Sequence, residues 1–149
     1  MKREIEVIAR GVCVKQGQIL LCHTKGKANT YLPGGHVEFD EHAGAALERE
    51  IREELGVRSK AGRFLGVVEH AFGSGRKRTA EINLVFELEI AGLKSARHMA
   101  SKEDYIEFQW VELSSLDGSC LEPCVLRKVL RGWLSRRADV SRWASTMSV

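Results

Sequence analysis

Three glutamates in the sequence combine a residue type and a spacing that suit metal binding. Glu50, Glu53 and Glu54 stand at positions i, i+3 and i+4. On a helix, this spacing places all three carboxylates on one face, where like charges repel. The arrangement is favourable when divalent cations occupy that face. Oxygen ligands that surround an ion only in part suit Mg²⁺, with Mn²⁺ as a substitute, because these ions retain water and accept phosphate oxygens.

The helix that carries these glutamates is predicted to run from Glu41 to Leu55. Its apolar residues recur every four positions and form a stripe beside the acidic face. They are Leu47, Ile51 and Leu55. Asp40 is predicted as the N-cap and Gly56 as the C-terminal stop. A solvated acidic face paired with Arg49 and Arg52 is the alternative interpretation of the same segment.

The helix belongs to a longer pattern of fixed spacing between Gly35 and Val57. Glu41 follows Gly35 after five residues, and Arg-Glu-Ile-Arg-Glu-Glu-Leu-Gly-Val follows seven residues later, from Arg49 onward. This pattern resembles the box of the Nudix hydrolase family (MutT-type), and every defining position is filled. The resemblance implies the Nudix fold, an α/β (α+β) architecture in which an α/β/α sandwich surrounds a central mixed, curved β-sheet.

The resemblance also implies a role for each residue of the box. Glu50, Glu53, Glu54 and a carbonyl at Gly35 are the expected metal ligands, and Arg49 is expected to orient the glutamates through salt bridges. Bound Mg²⁺ is expected to activate a water that cleaves a phosphoanhydride bond in a nucleoside diphosphate linked to another group. For Glu41, a role at the helix start and direct metal contact both remain open.

The sequence leaves the general base open between several carboxylates. Glu103 lies in a polar loop before the strand that ends in Trp110, and Asp104 is its neighbour. Glu81 begins another strand. Glu53 or Glu54 of the box is the remaining choice, and each outside candidate is equally understood as a solvated charge.

The candidate substrate-binding residues lie outside the acidic face. They are Arg10, Tyr31, His36 and Arg76. Tyr31 suits either base stacking or core packing, and Arg10 is an unusual residue inside a strand. Two basic loops, with Lys25 and Lys27 in one and Arg76, Lys77 and Arg78 in the other, suit phosphate binding or simple solvation.

Several small nucleotide derivatives fit this reaction class. A (deoxy)nucleoside triphosphate, a nucleotide sugar and ADP-ribose remain open as substrates. A non-catalytic nucleotide-sensing Nudix module is an alternative, which the intact acidic triad disfavours. An RNA 5′-end pyrophosphohydrolase is another, and it is disfavoured because a net charge of +3 is small for nucleic-acid binding.

Length and composition predict a single cytoplasmic domain over residues 1–149. The start of the chain lacks the apolar segment of a signal peptide, and no apolar run approaches the roughly 18 residues of a membrane span. The sequence is compatible with a homodimer but contains no feature that requires one.

The remaining elements are predicted from hydrophobic periodicity. Strands are expected at 5–14, 19–23, 64–70, 82–90 and 106–111, with an irregular polar segment at 91–104 and a helix at about 122–137. The tail after Asp139 is expected to fray. The four cysteines are expected to be buried small apolar side chains; they are Cys13, Cys22, Cys120 and Cys124.

Overall fold

The computed structural model of the chain describes residues 3–148, so residues 1, 2 and 149 of the predicted domain lie outside the described part. The described residues form eight strands and two α-helices. In chain order these are β1 (Ile5–Val12), β2 (Val14–Lys15), β3 (Gln18–Thr24), β4 (Gly34–His36), α1 (Ala43–Leu55), β5 (Ser59–Phe72), β6 (Thr79–Ile90), β7 (Ile106–Glu112), α2 (Leu126–Leu134) and β8 (Trp143–Ser145). Short 3₁₀ turns occupy Gly75–Lys77 and Leu113–Gly118.

The strands form two sheets. The larger sheet has the order β4-β1-β6-β5-β8, and the smaller has the order β2-β3-β7. In the larger sheet, β1 runs parallel to β6 and β5 runs parallel to β8, while the other pairs are antiparallel. The predicted mixed sheet is therefore confirmed.

Each helix packs on its own core cluster. The apolar stripe of α1 lies among buried residues from both sheets, including Leu20 of β3 and Leu88 of β6. Leu130 and Trp133 of α2 pack in a second cluster with Val68 of β5. The predicted α/β architecture is confirmed, because periodic apolar faces on strands and helices can be buried only in such layers.

The start of α1 differs from the prediction. The helix begins at Ala43, and the N-cap is His42, whose ring accepts a 3.0 Å hydrogen bond from the Gly44 amide. Asp40 is not the cap because it lies earlier, in a turn with a positive φ of 59°. The stop at Gly56 is confirmed, since this residue has the left-handed conformation with φ 66°.

The C-terminal region is also ordered differently. The helix α2 is shorter than predicted, because it begins only after Pro123 and its last turn closes on the Ser135 amide. The prediction of a frayed tail is wrong. Residues Trp143–Ser145 pair in parallel with β5, and the buried side chain of Ala144 joins the second core cluster.

The cysteine prediction is correct for only one pair. Cys13 and Cys22 are buried, whereas Cys120 and Cys124 are exposed, and all four are free thiols. The exposed pair lies in the turn that leads into α2, where Cys120 has a φ of 55°.

Within residues 3–148, no helix is long and apolar enough to cross a membrane.

Leu47→Ala should lower the free energy of unfolding by about 2–5 kcal/mol, because Leu47 is completely buried and the truncation leaves a cavity. Urea unfolding monitored by circular dichroism measures this change. The exposed Arg52 on the same helix provides the control, and Arg52→Ala should change stability by less than about 0.5 kcal/mol. Equal stability of the two variants would contradict the assignment of the apolar face.

Candidate active site

The guanidinium of Arg49 is the centre of an ionic network around α1. Arg49 donates two hydrogen bonds to the Glu41 carboxylate, from Nε to Oε1 at 2.7 Å and from Nη2 to Oε2 at 3.0 Å. Its Nη1 lies 3.0 Å from an oxygen of Glu50 and 3.4 Å from both oxygens of Glu53. Its Nη2 also donates to the His36 carbonyl at 3.0 Å. One side chain thus connects the helix to the loop that precedes it.

The strongest of these ion pairs joins Arg49 to Glu41. The hydrogen bonds from Arg49, followed by one from the Glu38 amide, lower the pKa of Glu41 to about 2. Glu41 therefore keeps its negative charge while Arg49 also faces two other glutamates. Of the two roles left open for Glu41, the structure places it against the arginine at the helix start.

The two glycines of β4 bring the backbone against the acidic face. A Cβ on Gly35 would overlap the carboxylate of Glu50, so the absence of a side chain lets that carboxylate lie directly on the strand. Gly34 has a φ of 137° and its Cβ would collide with the Ala9 carbonyl. Both positions need glycine because β4 pairs tightly with β1 on one side and faces α1 on the other.

Glu54 differs from the other two glutamates because its carboxyl group is largely buried. Burial, and then the negative charge of Glu50, raises the pKa of Glu54 to about 8, while Arg10 and the backbone of Gly34 oppose the shift. The Oε2 atom of Glu54 is buried without a hydrogen-bond partner. A buried oxygen of this kind is unfavourable unless it gains a ligand.

The carboxylates of α1 are oriented in different directions. Glu50 lies against Gly35, Glu53 is exposed, and Glu54 is turned inward. Across residues 3–148, no three or more His, Cys, Asp or Glu side chains are grouped closely enough to hold a metal ion by themselves. The unpartnered oxygen of Glu54 fits a divalent cation that takes its other ligands from water and phosphate.

The loop that carries Glu103 is tied to the C-terminal end of α1. The Lys102 amide donates a 2.6 Å hydrogen bond to the Glu54 carbonyl, and the Ser101 hydroxyl donates to the same oxygen. The charge of Glu103 contributes to the raised pKa of Glu54. Burial, and then the charges of Glu103, Glu54 and Glu50, raises the pKa of Tyr105. The structure therefore brings the loop of Glu103 to the end of α1 that carries Glu54.

A pocket of about 350 Å³ lies next to the acidic face. Its lining residues are Arg10, Asn29, Tyr31, His70, Phe72, Glu81, Glu122 and Pro123. The Arg10 guanidinium lies 5.4 Å from the centre of the Tyr31 ring and donates to the Leu32 carbonyl and to Asn83. The same guanidinium lowers the pKa of Glu54. Arg10 therefore lies close both to the pocket and to Glu54, one of the candidate metal ligands.

Other predicted residues lie elsewhere. His36 is exposed, and its ring lies 3.3 Å from Glu6. Arg76 is exposed in its 3₁₀ turn, and Lys25 and Asp104 line a separate cavity beside Glu103. The structure does not bring the side chains of His36 and Arg76 into the pocket, and it separates Glu81 from Glu103.

Sequence reasoning missed five of the eight residues that line the pocket, and His70 and Phe72 are the aromatic ones among them. Their rings stack at 5.3 Å, and the His70 ring also contacts the Thr146 hydroxyl at 2.6 Å. Alternation along β5 was the available signal, because residues two apart share a face of a strand. The predicted strand ended at residue 70 and therefore excluded Phe72.

The family of the chain follows from its sequence match. The model of the NUDIX domain matches residues 2–129. The chain therefore belongs to the NUDIX domain family, and the resemblance inferred from the Gly35–Val57 pattern is confirmed.

Individual relatives carry different names. Diphosphoinositol polyphosphate phosphohydrolase 2 of Rattus norvegicus is 39% identical over 38% of this chain and 32% of its own length. The ADP-ribose pyrophosphatase of Methanocaldococcus jannaschii is 32% identical over 74% of this chain and 63% of its own. The chain thus spans about a third of the length of the first of these relatives and less than two thirds of the second.

Solved structures share the fold. The crystal structure of a MutT NUDIX hydrolase from Burkholderia pseudomallei is 27% identical and aligns with a TM-score of 0.63. The alignment covers 75% of this chain and 86% of that one.

The raised pKa of Glu54 predicts a pH-dependent stability for the metal-free protein. Between about pH 4.5 and 8, the folded state keeps the Glu54 proton that the unfolded chain releases, so this contribution to stability falls as pH rises. The wild type should lose stability relative to Glu54→Gln across this window. Urea unfolding of both proteins in chelator at pH 5, 6.5 and 8 measures the difference. A difference that stays constant with pH would contradict the assigned shift.

Proposed function

We propose that the chain is a Mg²⁺-dependent pyrophosphohydrolase that cleaves a phosphoanhydride bond in a nucleoside diphosphate linked to another group. Mn²⁺ is the expected substitute for Mg²⁺. The proposal combines membership of the NUDIX family with the acidic face of α1. The names of the relatives agree on the breakage of a diphosphate or pyrophosphate link and differ in the rest of the molecule.

The single observation that carries the proposal is the buried, unpartnered Oε2 atom of Glu54. A buried acceptor without a partner lowers the stability of the folded protein by about 1–3 kcal/mol. A helix with a purely structural role would therefore not be expected to contain one. A cation ligand removes this cost. Glu50 and Glu53 share its helix face, and Gly35 lies against the Glu50 carboxylate, so these three glutamates and the carbonyl of Gly35 are the proposed metal ligands.

The remaining residues have supporting roles in the proposed reaction. A bound divalent cation would supply charge neutralisation of the phosphate oxygens and would lower the pKa of a water ligand. Arg49 holds Glu50 and Glu53 in place through its hydrogen bonds, which makes it a positioning residue. Arg10 lies between the pocket and Glu54, where a guanidinium suits a phosphate of the substrate.

Glu103 is the proposed general base. Its neighbour Lys102 donates an amide hydrogen bond to the Glu54 carbonyl, and its own amide donates to the Ser101 hydroxyl at 3.0 Å, so its loop lies at the end of α1 that carries Glu54. Glu81 lies in the pocket instead. A base must lie within reach of the attacking water, which favours Glu103 over Glu81.

A second candidate substrate is an inositol phosphate that carries a diphosphate, because that class appears in the names of several relatives. Such a molecule requires many cations for its phosphates. The pocket contains one arginine and two glutamates, which suits a nucleoside better than a dense cluster of phosphates. Nucleoside triphosphates, nucleotide sugars and ADP-ribose are therefore the preferred substrates.

A hydrolysis screen with Mg²⁺ tests the proposed function, and Glu53→Gln tests the acidic face. We expect one member of a panel of nucleoside triphosphates, nucleotide sugars, ADP-ribose, dinucleoside polyphosphates, diphosphoinositol phosphates and capped RNA to be cleaved. Glu53→Gln should lower kcat at least about a hundredfold, because it removes a charged metal ligand while it preserves shape.

Glu89→Gln is the matched control for this screen, since Glu89 is exposed on β6 and makes the same change of charge. Its kcat should stay within about twofold of the wild type. Nucleotide binding without cleavage of any panel member would favour a sensor role. Equal kcat for the wild type and Glu53→Gln would remove Glu53 from the metal site.

Glu103→Gln should lower kcat and remove the acidic limb of the pH–rate profile, because the amide cannot accept the proton of the attacking water. The profile of kcat from pH 5 to 9, with the best substrate of the screen, measures this effect. Asp104→Asn is the adjacent control and should keep the wild-type profile. If Glu103→Gln also keeps that profile, the base is a different carboxylate.

A further inference from the structure

Glu81 carries a pocket-lining carboxylate that the proposed hydrolysis does not use. It lies on β6 and lines the pocket beside Arg10, and only 8% of its surface is exposed. Within the part of the chain that the structure describes, its carboxylate accepts no hydrogen bond and forms no ion pair. A carboxylate that lines a pocket and has no protein partner is available to hydrogen-bond donors of a ligand.

The backbone fixes the direction in which Glu81 points. Its register partners are Glu6 on β1 and His70 on β5, and residues directly opposite in a sheet share a face. His70 lines the same pocket. Glu81 therefore lies on the same face of the sheet as His70, and both residues line the pocket.

We propose that Glu81 selects the substrate by accepting hydrogen bonds from N–H groups of an aromatic heterocycle, the nucleobase of the substrate. This inference rests on the proposed function, because it assigns a specificity to the nucleoside part of that substrate. An ionised carboxylate only accepts hydrogen bonds, and its two oxygens match two parallel N–H donors. The ligand group that fits is a planar ring with a ring N–H beside an exocyclic amine.

The walls of the pocket favour an aromatic ring over a sugar or a phosphate. The stacked pair of His70 and Phe72 forms one wall, and Tyr31 with Arg10 above its ring forms another. Aromatic and guanidinium planes stack on bases. Phe72 is 49% exposed, so its ring offers a free face in the pocket.

The charges in the pocket give the bound molecule an orientation. Glu122, the second carboxylate, is already paired with Arg127 at 3.1 Å, which leaves Glu81 as the carboxylate available to a ligand. Negative phosphates are repelled from Glu81 and attracted to Arg10, whose charge reaches Glu54. A base on Glu81 therefore directs the phosphates toward the acidic face of α1.

Among the common bases, guanine carries the required pair of neighbouring donors, its ring N1–H and its exocyclic amine. Hypoxanthine keeps the ring N–H and lacks the amine, so GMP and IMP form a matched ligand pair. Titrations of the full chain with each nucleotide in chelator, followed by calorimetry, measure binding without metal or hydrolysis. We expect the wild type to bind GMP at least about tenfold more tightly than IMP, the size of one charge-assisted hydrogen bond.

Glu81→Gln should reduce the ratio of GMP to IMP affinity to about twofold or less, because the amide cannot accept both donors. Glu89→Gln makes the same change of charge on the same strand outside the pocket and should leave the ratio unchanged. Phe72→Leu alters an exposed side chain, so it should preserve the fold. It should lower the affinity for both GMP and IMP about tenfold and leave the ratio of the two affinities unchanged.

The outcomes separate this inference from the proposed function. An equal affinity ratio in the wild type and Glu81→Gln, or no binding of either nucleotide, overturns the role of Glu81 even if the hydrolysis screen succeeds. A Glu81-dependent ratio with no cleavage in the screen supports the role of Glu81 and overturns the proposed function. A fall in the ratio for Glu89→Gln as well would assign the effect to net charge and overturn the inference.

Discussion

The ion pair between Arg49 and Glu41 is the interaction on which the arrangement of the acidic face depends. Glu50, Glu53 and Glu54 repel one another on one face of α1, and Arg49 provides the nearby positive charge that offsets this repulsion. The planar guanidinium also binds the His36 carbonyl, so its geometry fixes β4 relative to the helix. A lysine at this position has a single charged nitrogen and cannot replace these directed contacts.

The sheet constrains the same region from the other side. Gly34 and Gly35 allow β4 to lie between the first strand and the helix, and Gly34 is the register partner of Arg10. This pairing positions the Arg10 side chain near both Glu54 and Tyr31. The acidic face and the pocket are thus adjacent because Gly34 pairs with Arg10 of the pocket and Gly35 lies against Glu50 of the acidic face.

Local pattern was sufficient to predict the helix and its box. The apolar period of Leu47, Ile51 and Leu55 and the stop at Gly56 depend on neighbours in the chain, and both are confirmed. The helix start was wrong because His42 and Asp40 are both polar residues that can cap a helix, and the positive φ of Asp40 decides between them.

The pocket could not be predicted to the same extent, because it depends on pairing between distant segments. Glu81 and His70 become neighbours only through the register of β5 and β6, and a strand sequence does not specify its register. From the sequence alone, Glu81 was therefore equally well interpreted as a solvent-exposed charge at the start of a strand. The irregularities of β5 between Ala61 and Gly66 also shift its register with β6, which local sequence does not specify.

The pairing of β8 with β5 divides the site between two parts of the sequence that can diverge independently. The family match ends at residue 129, whereas Thr146, just after β8, holds the His70 ring and bonds through its amide to Glu69. Insertions or substitutions in this tail can therefore reshape the pocket while the box remains unchanged.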